Sequence, residues 1–162
     1  MANKTLSGLQ DIMTHAASYE EYQEAAKAHD ELSGSREWKA KDTCKDYDYR
    51  LIRKRVQRIK QARLSGDTDG LMYILHEGLH GNLGNIASPA LKQHAKFGTK
   101  HLIEEFIQEV CSALDFIYQA DENEIDFYEK LSFFEETAQA FGRSCLMLSG
   151  GAGLGFFHCG VI

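Results

Sequence analysis

Thr99-Lys-His-Leu-Ile-Glu-Glu-Phe-Ile-Gln-Glu-Val-Cys-Ser-Ala-Leu-Asp-Phe-Ile-Tyr118 carries the strongest pattern in the chain. Ile103, Phe106, Ile107, Val110, Leu114 and Ile117 recur at steps of three and four. That period places them on one face of an α-helix, whereas a half-buried strand would alternate at every second residue. Thr99 stands where a side-chain oxygen is expected to cap the first turn. A long amphipathic helix of this kind needs a partner surface, so the fold is read as mainly α.

Working outward, the same logic finds further helices. Ser18-Tyr-Glu-Glu21 has the spacing of a capping box and opens a helix expected to end near Gly34. Tyr47 to Leu64 is the next helical pattern, stopped by Ser65-Gly66, and another follows from Asp69 to Gly78. Residues 81–98, with Asn82, Gly84, Asn85 and the chain's one proline, Pro89, read as loop with one short turn. Asp121-x-x-Glu124 is expected to open the last helix, with Tyr128, Leu131, Phe134, Ala138 and Phe141 on one face and Gly142 as its stop. Beyond it the pattern changes. Cys145 to Leu148 is an apolar run suited to a buried strand, Gly150, Gly151, Gly153 and Gly155 are expected to form a tight turn, and Phe156 to Ile162 is expected to start a helix. Strand, glycine loop and helix N-terminus together aim several backbone N–H groups at one anionic oxygen.

Composition narrows the function classes. An apolar fraction of 43% over 162 residues supplies a core for one domain. Its apolar stretches are too short for a membrane-spanning helix, and the N-terminus lacks the apolar run of a signal peptide. Cys44, Cys111, Cys145 and Cys159 form no Cys-x-x-Cys pair, which favours free buried thiols in a reducing compartment. A cytoplasmic protein is expected, at most peripheral to a membrane or lipid surface. The net charge of −6 conceals a segregation: residues 36–63 hold eleven of the eighteen Lys and Arg against four acids. The acidic remainder argues against a nucleic-acid binder.

Three blocks resemble the start of a patatin-like phospholipase of the triacylglycerol lipase type. They are Trp38-Lys-Ala-Lys-Asp-Thr-Cys-Lys-Asp-Tyr-Asp-Tyr-Arg-Leu-Ile52, then Gly81-Asn-Leu-Gly-Asn-Ile86 with Phe97-Gly-Thr-Lys-His-Leu-Ile-Glu-Glu105, then Phe141-Gly-Arg-Ser-Cys-Leu-Met-Leu-Ser-Gly-Gly151 through Gly155 with His158-Cys-Gly-Val161. The resemblance implies a helical N-terminal domain over residues 1–142. Residues 143–162 would then be the first strand and glycine loop of a truncated α/β hydrolase domain. It also implies lipid-ester hydrolysis by a Ser–Asp dyad, no cofactor, and an oxyanion loop at Gly150, Gly151, Ala152, Gly153 and Gly155. Ala152 departs from that family's third glycine. No serine of the chain lies in Gly-x-Ser-x-Gly, so the nucleophile is expected elsewhere and this chain alone is expected to be inactive.

Two other features compete for a function. His76-Glu77-Gly78-Leu79-His80 fits His-Glu-x-x-His, which on a helix puts two imidazoles on one face beside a Glu base. A zinc hydrolase is the third reading, set against a helix C-terminus whose histidines meet the dipole and nearby carbonyls. Arg50, Arg53, Lys54, Arg55, Arg58, Lys60 and Arg63 make the helix after Tyr47 cationic around an Ile52, Val56 and Ile59 stripe. Such a helix suits an anionic lipid surface; equally it suits a core-facing helix whose cations meet the acidic remainder. The second reading is therefore a stand-alone, non-catalytic helical module that binds a membrane or another chain. The first is a portion of a lipase whose partners are its lipid ester and its missing catalytic part.

Overall fold

The computed structural model describes residues 5–79 and 82–141. Every regular element within them is helical, as the amphipathic pattern requires. The expected strand at 144–149, the glycine loop and Gly142 lie outside the described residues, as do His80 and Gly81.

Short polar side chains start most of the helices. α1 (Leu6–His15) begins where Thr5 Oγ1 accepts the Gly8 N–H. α2 (Tyr19–Leu32) begins at Ser18, whose Oγ accepts the Glu21 N–H at 3.2 Å. Glu21 answers by accepting the N–H of Ala17 rather than that of the cap residue. α3 (Ser35–Ala40) follows at once. α4 (Tyr49–Ser65) is capped by Asp48 and stops at Gly66; α5 (Thr68–Gly78) is capped by Asp67. Two single 3-10 turns, Leu83–Asn85 and Leu91–Gln93, interrupt the following loop. α6 (His101–Gln119) and α7 (Phe127–Phe141) complete the order. The sequence reading had no element corresponding to α1 or α3. Neither has a long apolar period of its own, and α3 has only six residues.

Two helix starts differ from expectation. Lys100, not Thr99, is the N-cap of α6, and no side chain caps it. Glu104 reaches back to accept the Thr99 N–H at 3.0 Å. This leaves the Thr99 hydroxyl without a partner among the described residues. Asp121 forms a turn rather than a helix, accepting the Asn123 N–H at 2.7 Å. Ile125 must first enter the core, where it is 2% exposed, and α7 starts after it with Asp126 accepting the Tyr128 N–H at 2.9 Å.

The core lies between α4 and α6, with α5 closing one side. α4 supplies Ile52, Val56, Ile59 and Ala62; α6 supplies Leu102, Ile103, Phe106, Val110, Ala113 and Ile117. α1 and α2 pack closely on each other outside that core, with Leu9, Ala25 and Ala26 buried. The 82–98 loop is stitched to the start of α4. The Gly84 carbonyl accepts the Asp48 N–H at 2.8 Å, and Asn85 donates to the Asp46 carbonyl at 2.8 Å. Gly84 has φ 60°, and a Cβ there would stand 3.2 Å from Ile52 Cδ1. Only glycine takes that turn so close to the core without strain.

Candidate functional site

The cationic helix is the first candidate, and its geometry is that of an internal ion-pair network. Arg53 holds Asp42 and, at 3.1 Å, Glu105. Arg55 and Arg58 converge on Glu77 at 2.9 and 3.2 Å. Arg63 meets Glu109 at 2.8 Å, with Lys60 at 4.0 Å from the same carboxylate. Five of the seven cations therefore face carboxylates of α5, α6 and the segment before α4. Arg50 Nε donates to the hydroxyl of its neighbour Tyr49 at 3.2 Å. Lys54 has no carboxylate partner among the described residues. The charge available to an anionic surface is thus much smaller than the sequence count. Solvent screens such partly exposed pairs, so they orient helices more than they stabilise them.

The His-Glu-x-x-His motif is drawn into the same network. Arg55 and Arg58 hold the Glu77 carboxyl below its ordinary range through hydrogen bonds and charge. Gly78 explains the approach: a Cβ there would stand 2.9 Å from Arg55 Cζ, so only glycine lets the guanidinium lie against the α5 backbone. His76 is exposed and sits 3.3 Å from Glu136, in a cleft of about 390 Å³ between α5 and α7 that Asp69, Tyr73 and Glu129 also line. Among the described residues no three His, Cys, Asp or Glu side chains come together as a metal site.

The sequence reading missed a polar knot between α2, α3 and the approach to α6. Asp30 is 2% exposed. It accepts Lys39 Nζ at 2.7 Å and the N–H groups of Lys96 and Phe97 at 2.8 and 3.1 Å. Burial pushes its carboxyl up, but the Lys39 hydrogen bond and the two backbone donors outweigh it and hold the group below the usual range. Lys100 is fully buried, and its Nζ donates to the carbonyls of Trp38 and Lys41 at 2.5 and 2.8 Å. There it satisfies carbonyls at the open C-terminal end of α3. The same ammonium lies 4.0 Å from the Trp38 ring centroid, and Trp38 stacks on His94 at 4.6 Å. Burial lowers the Lys100 pKa. The only available sequence signal was a Lys and an Asp inside otherwise helical or loop segments, and neither announces burial.

A third feature is apolar. α6 and α7, with Leu79 and the turn at Ile86 and Ala87, enclose a groove of about 510 Å³. α7 turns only part of its apolar surface into the core. Tyr128 and Leu131 are 76% and 45% exposed, whereas Phe133 is 5% exposed and belongs to the core. Phe127 is also exposed, and Phe134 and Ala138 line the groove. Cys111, expected to be buried, is exposed on the groove wall, and Cys44 is half-buried; both are free thiols.

A helical body with this ion-pair network invites comparison with known families. The profile described as "Domain of unknown function (DUF3336)" matches residues 2–139. The chain belongs to this DUF3336 family. Relatives of this DUF3336 chain include triacylglycerol lipase 4 of Saccharomyces cerevisiae, 37% identical over 148 residues, which are 91% of this chain and 16% of the relative. Triacylglycerol lipase ptl3 of Schizosaccharomyces pombe is 34% identical over 93% of this chain and 31% of its own length. Triacylglycerol lipase SDP1L of Arabidopsis thaliana is 36% identical over 94% and 18% respectively. The chain thus spans 16–31% of the length of these curated relatives. No solved structure matches it.

Proposed function

We propose that this chain is the N-terminal portion of a patatin-like triacylglycerol lipase or phospholipase. In this reading the whole polypeptide hydrolyses lipid esters through an acyl-enzyme on a Ser–Asp dyad. The observation that carries it is a family match over residues 2–139 combined with lipase relatives of which the chain spans only 16–31%. Residues 1–142 form the helical domain, and residues 143–162 begin the catalytic one. There the N–H groups around Gly150, Gly151, Ala152, Gly153 and Gly155 receive the oxyanion. Such a loop stabilises an acyl-transfer transition state but needs a nucleophile to act on, and no serine in the 162 residues has the Gly-x-Ser-x-Gly setting. The protein works in the cytoplasm at the surface of its lipid substrate.

A serine-directed fluorophosphonate probe and a triolein hydrolysis assay test this, applied to the 18.3 kDa chain and to the native product isolated from its source cells. The expected result is a native product of larger mass that is labelled and active, and an 18.3 kDa chain that is neither. A native product of 18.3 kDa that hydrolyses nothing would overturn the reading. It would favour the non-catalytic module, for which exposed Phe127 and Tyr128 on α7 offer a contact surface.

A further inference from the structure

We infer that α1 and α2 form an arm that swings away from the rest of the domain as one unit, latched shut by Asp30. Their buried apolar residues, Leu9, Ala25 and Ala26, stand outside the core that α4 and α6 build. What joins the arm to the body is polar instead. Asp30, near the end of α2, accepts Lys39 Nζ at 2.7 Å and the N–H groups of Lys96 and Phe97 at 2.8 and 3.1 Å. Lys27 Nζ lies 4.7 Å from the Phe97 ring centroid, and the Tyr22 hydroxyl donates to the Lys96 carbonyl at 3.5 Å. Beside these contacts is a polar cleft of about 300 Å³ lined by Gln10, His29, Ser33, Gln93 and His94.

Water can replace hydrogen bonds of this kind but not an apolar seam, so the arm opens at a lower free energy than the body unfolds. The closed joint also carries an uncompensated group. His29 Nδ1 is buried without a hydrogen-bond partner among the described residues, and opening returns it to water. The hinge is the two-residue link between α2 and α3. Gly34 there has φ 80°, and a Cβ would meet nothing within 4 Å, so no packing at that residue opposes rotation. α3 stays behind, because buried Lys100 donates to the carbonyls of Trp38 and Lys41. Opening therefore bares Asp30, Lys39 and the backbone of residues 94–97 while the core remains intact.

Native-state hydrogen exchange on the 162-residue chain, read by NMR amide by amide at low denaturant, tests this. The slowest amides of α1 and α2 are expected to share one opening free energy, below that of α4 and α6. Ile59→Val, at a core position 2% exposed, should speed the slowest α4 and α6 amides about fivefold and leave those of α1 and α2 unchanged. Asp30→Ala should speed α1 and α2 at least about tenfold. α4 and α6 should follow by the same factor, since global unfolding breaks the latch as well. Circular dichroism checks that both variants keep their helices; should Asp30→Ala lose them, Asp30→Asn takes its place with a smaller expected shift. Three results would each overturn the inference: α1 and α2 accelerated by Ile59→Val along with the core, α1 and α2 opening with unequal free energies, or exchange in α1 and α2 unmoved by loss of the Asp30 carboxylate.

Discussion

α4 and α7 are both helices of 15 or more residues with an apolar stripe, yet they treat the rest of their surface in opposite ways. α4 buries Ile52, Val56, Ile59 and Ala62 and then pairs five cations with carboxylates around it. α7 places Phe133 in the core and leaves Phe127, Tyr128 and Leu131 exposed. The helix with the more conspicuous sequence is thus the one already engaged inside the domain. The plainer helix carries the surface still open to a ligand or partner. A count of cations measures the charge a helix owns, whereas pairing decides how much of it reaches outward.

The contrast is broken most directly at the α4 stripe. Ile52→Ala is expected to cost about 3 kcal/mol of unfolding free energy in urea, because the removed atoms leave a cavity between α4 and the Gly84 turn. A loss within the scatter of surface substitutions would mean that α4 is not embedded as described. Glu109→Ala strips the carboxylate from Arg63 and Lys60. Glu109 is 9% exposed but its cations reach solvent, so the expected loss is about 1–2 kcal/mol. It should shrink little in high salt, unlike a pair exposed on both sides.

Acid titration sharpens the same comparison from the polar knot. The Asp30 carboxyl is held below its ordinary value in the folded chain, so the unfolded chain binds that proton more readily. Its stabilisation is complete above the unfolded carboxylate pKa of about 3.9 and is lost as pH falls through the lower folded value. Asp30→Asn is expected to flatten this acid limb in a pH series of denaturation midpoints; an unchanged limb would assign the loss to other carboxylates. At the weak end, Tyr128→Ser should move stability by no more than about 0.5 kcal/mol, since the ring is 76% exposed. Vesicles containing anionic lipid should bind the chain weakly, with little dependence on salt. Strong, salt-sensitive partitioning would show that α4's pairs open to meet lipid.

Much of the helical layout was legible. Three of the long helices lie within two residues of their expected limits, and two of them because Ser18 and Ser65-Gly66 act through local backbone chemistry. The start of α6 was found to within two residues, but its cap was not. Thr99 and Asp121 both have suitable side chains, and the choice between competing caps depended on where Glu104 and Ile125 were drawn. Which side of α7 enters the core was not legible for a related reason. Periodicity identifies which residues share a face, and it does not say which face finds a partner.

The sequence alone determined that this is a helical chain of the lipase-associated family. Both conclusions rest on short-range spacing and on matching blocks along the chain. Tertiary structure decided that five of α4's cations meet carboxylates, that Asp30 and Lys100 are buried and satisfied, and that an apolar groove opens beside α6. Each of these depends on which distant side chains meet: Asp30 with residue 96, Lys100 with residue 38, Arg63 with residue 109. Burial and pairing are properties of such meetings, and no local pattern encodes them.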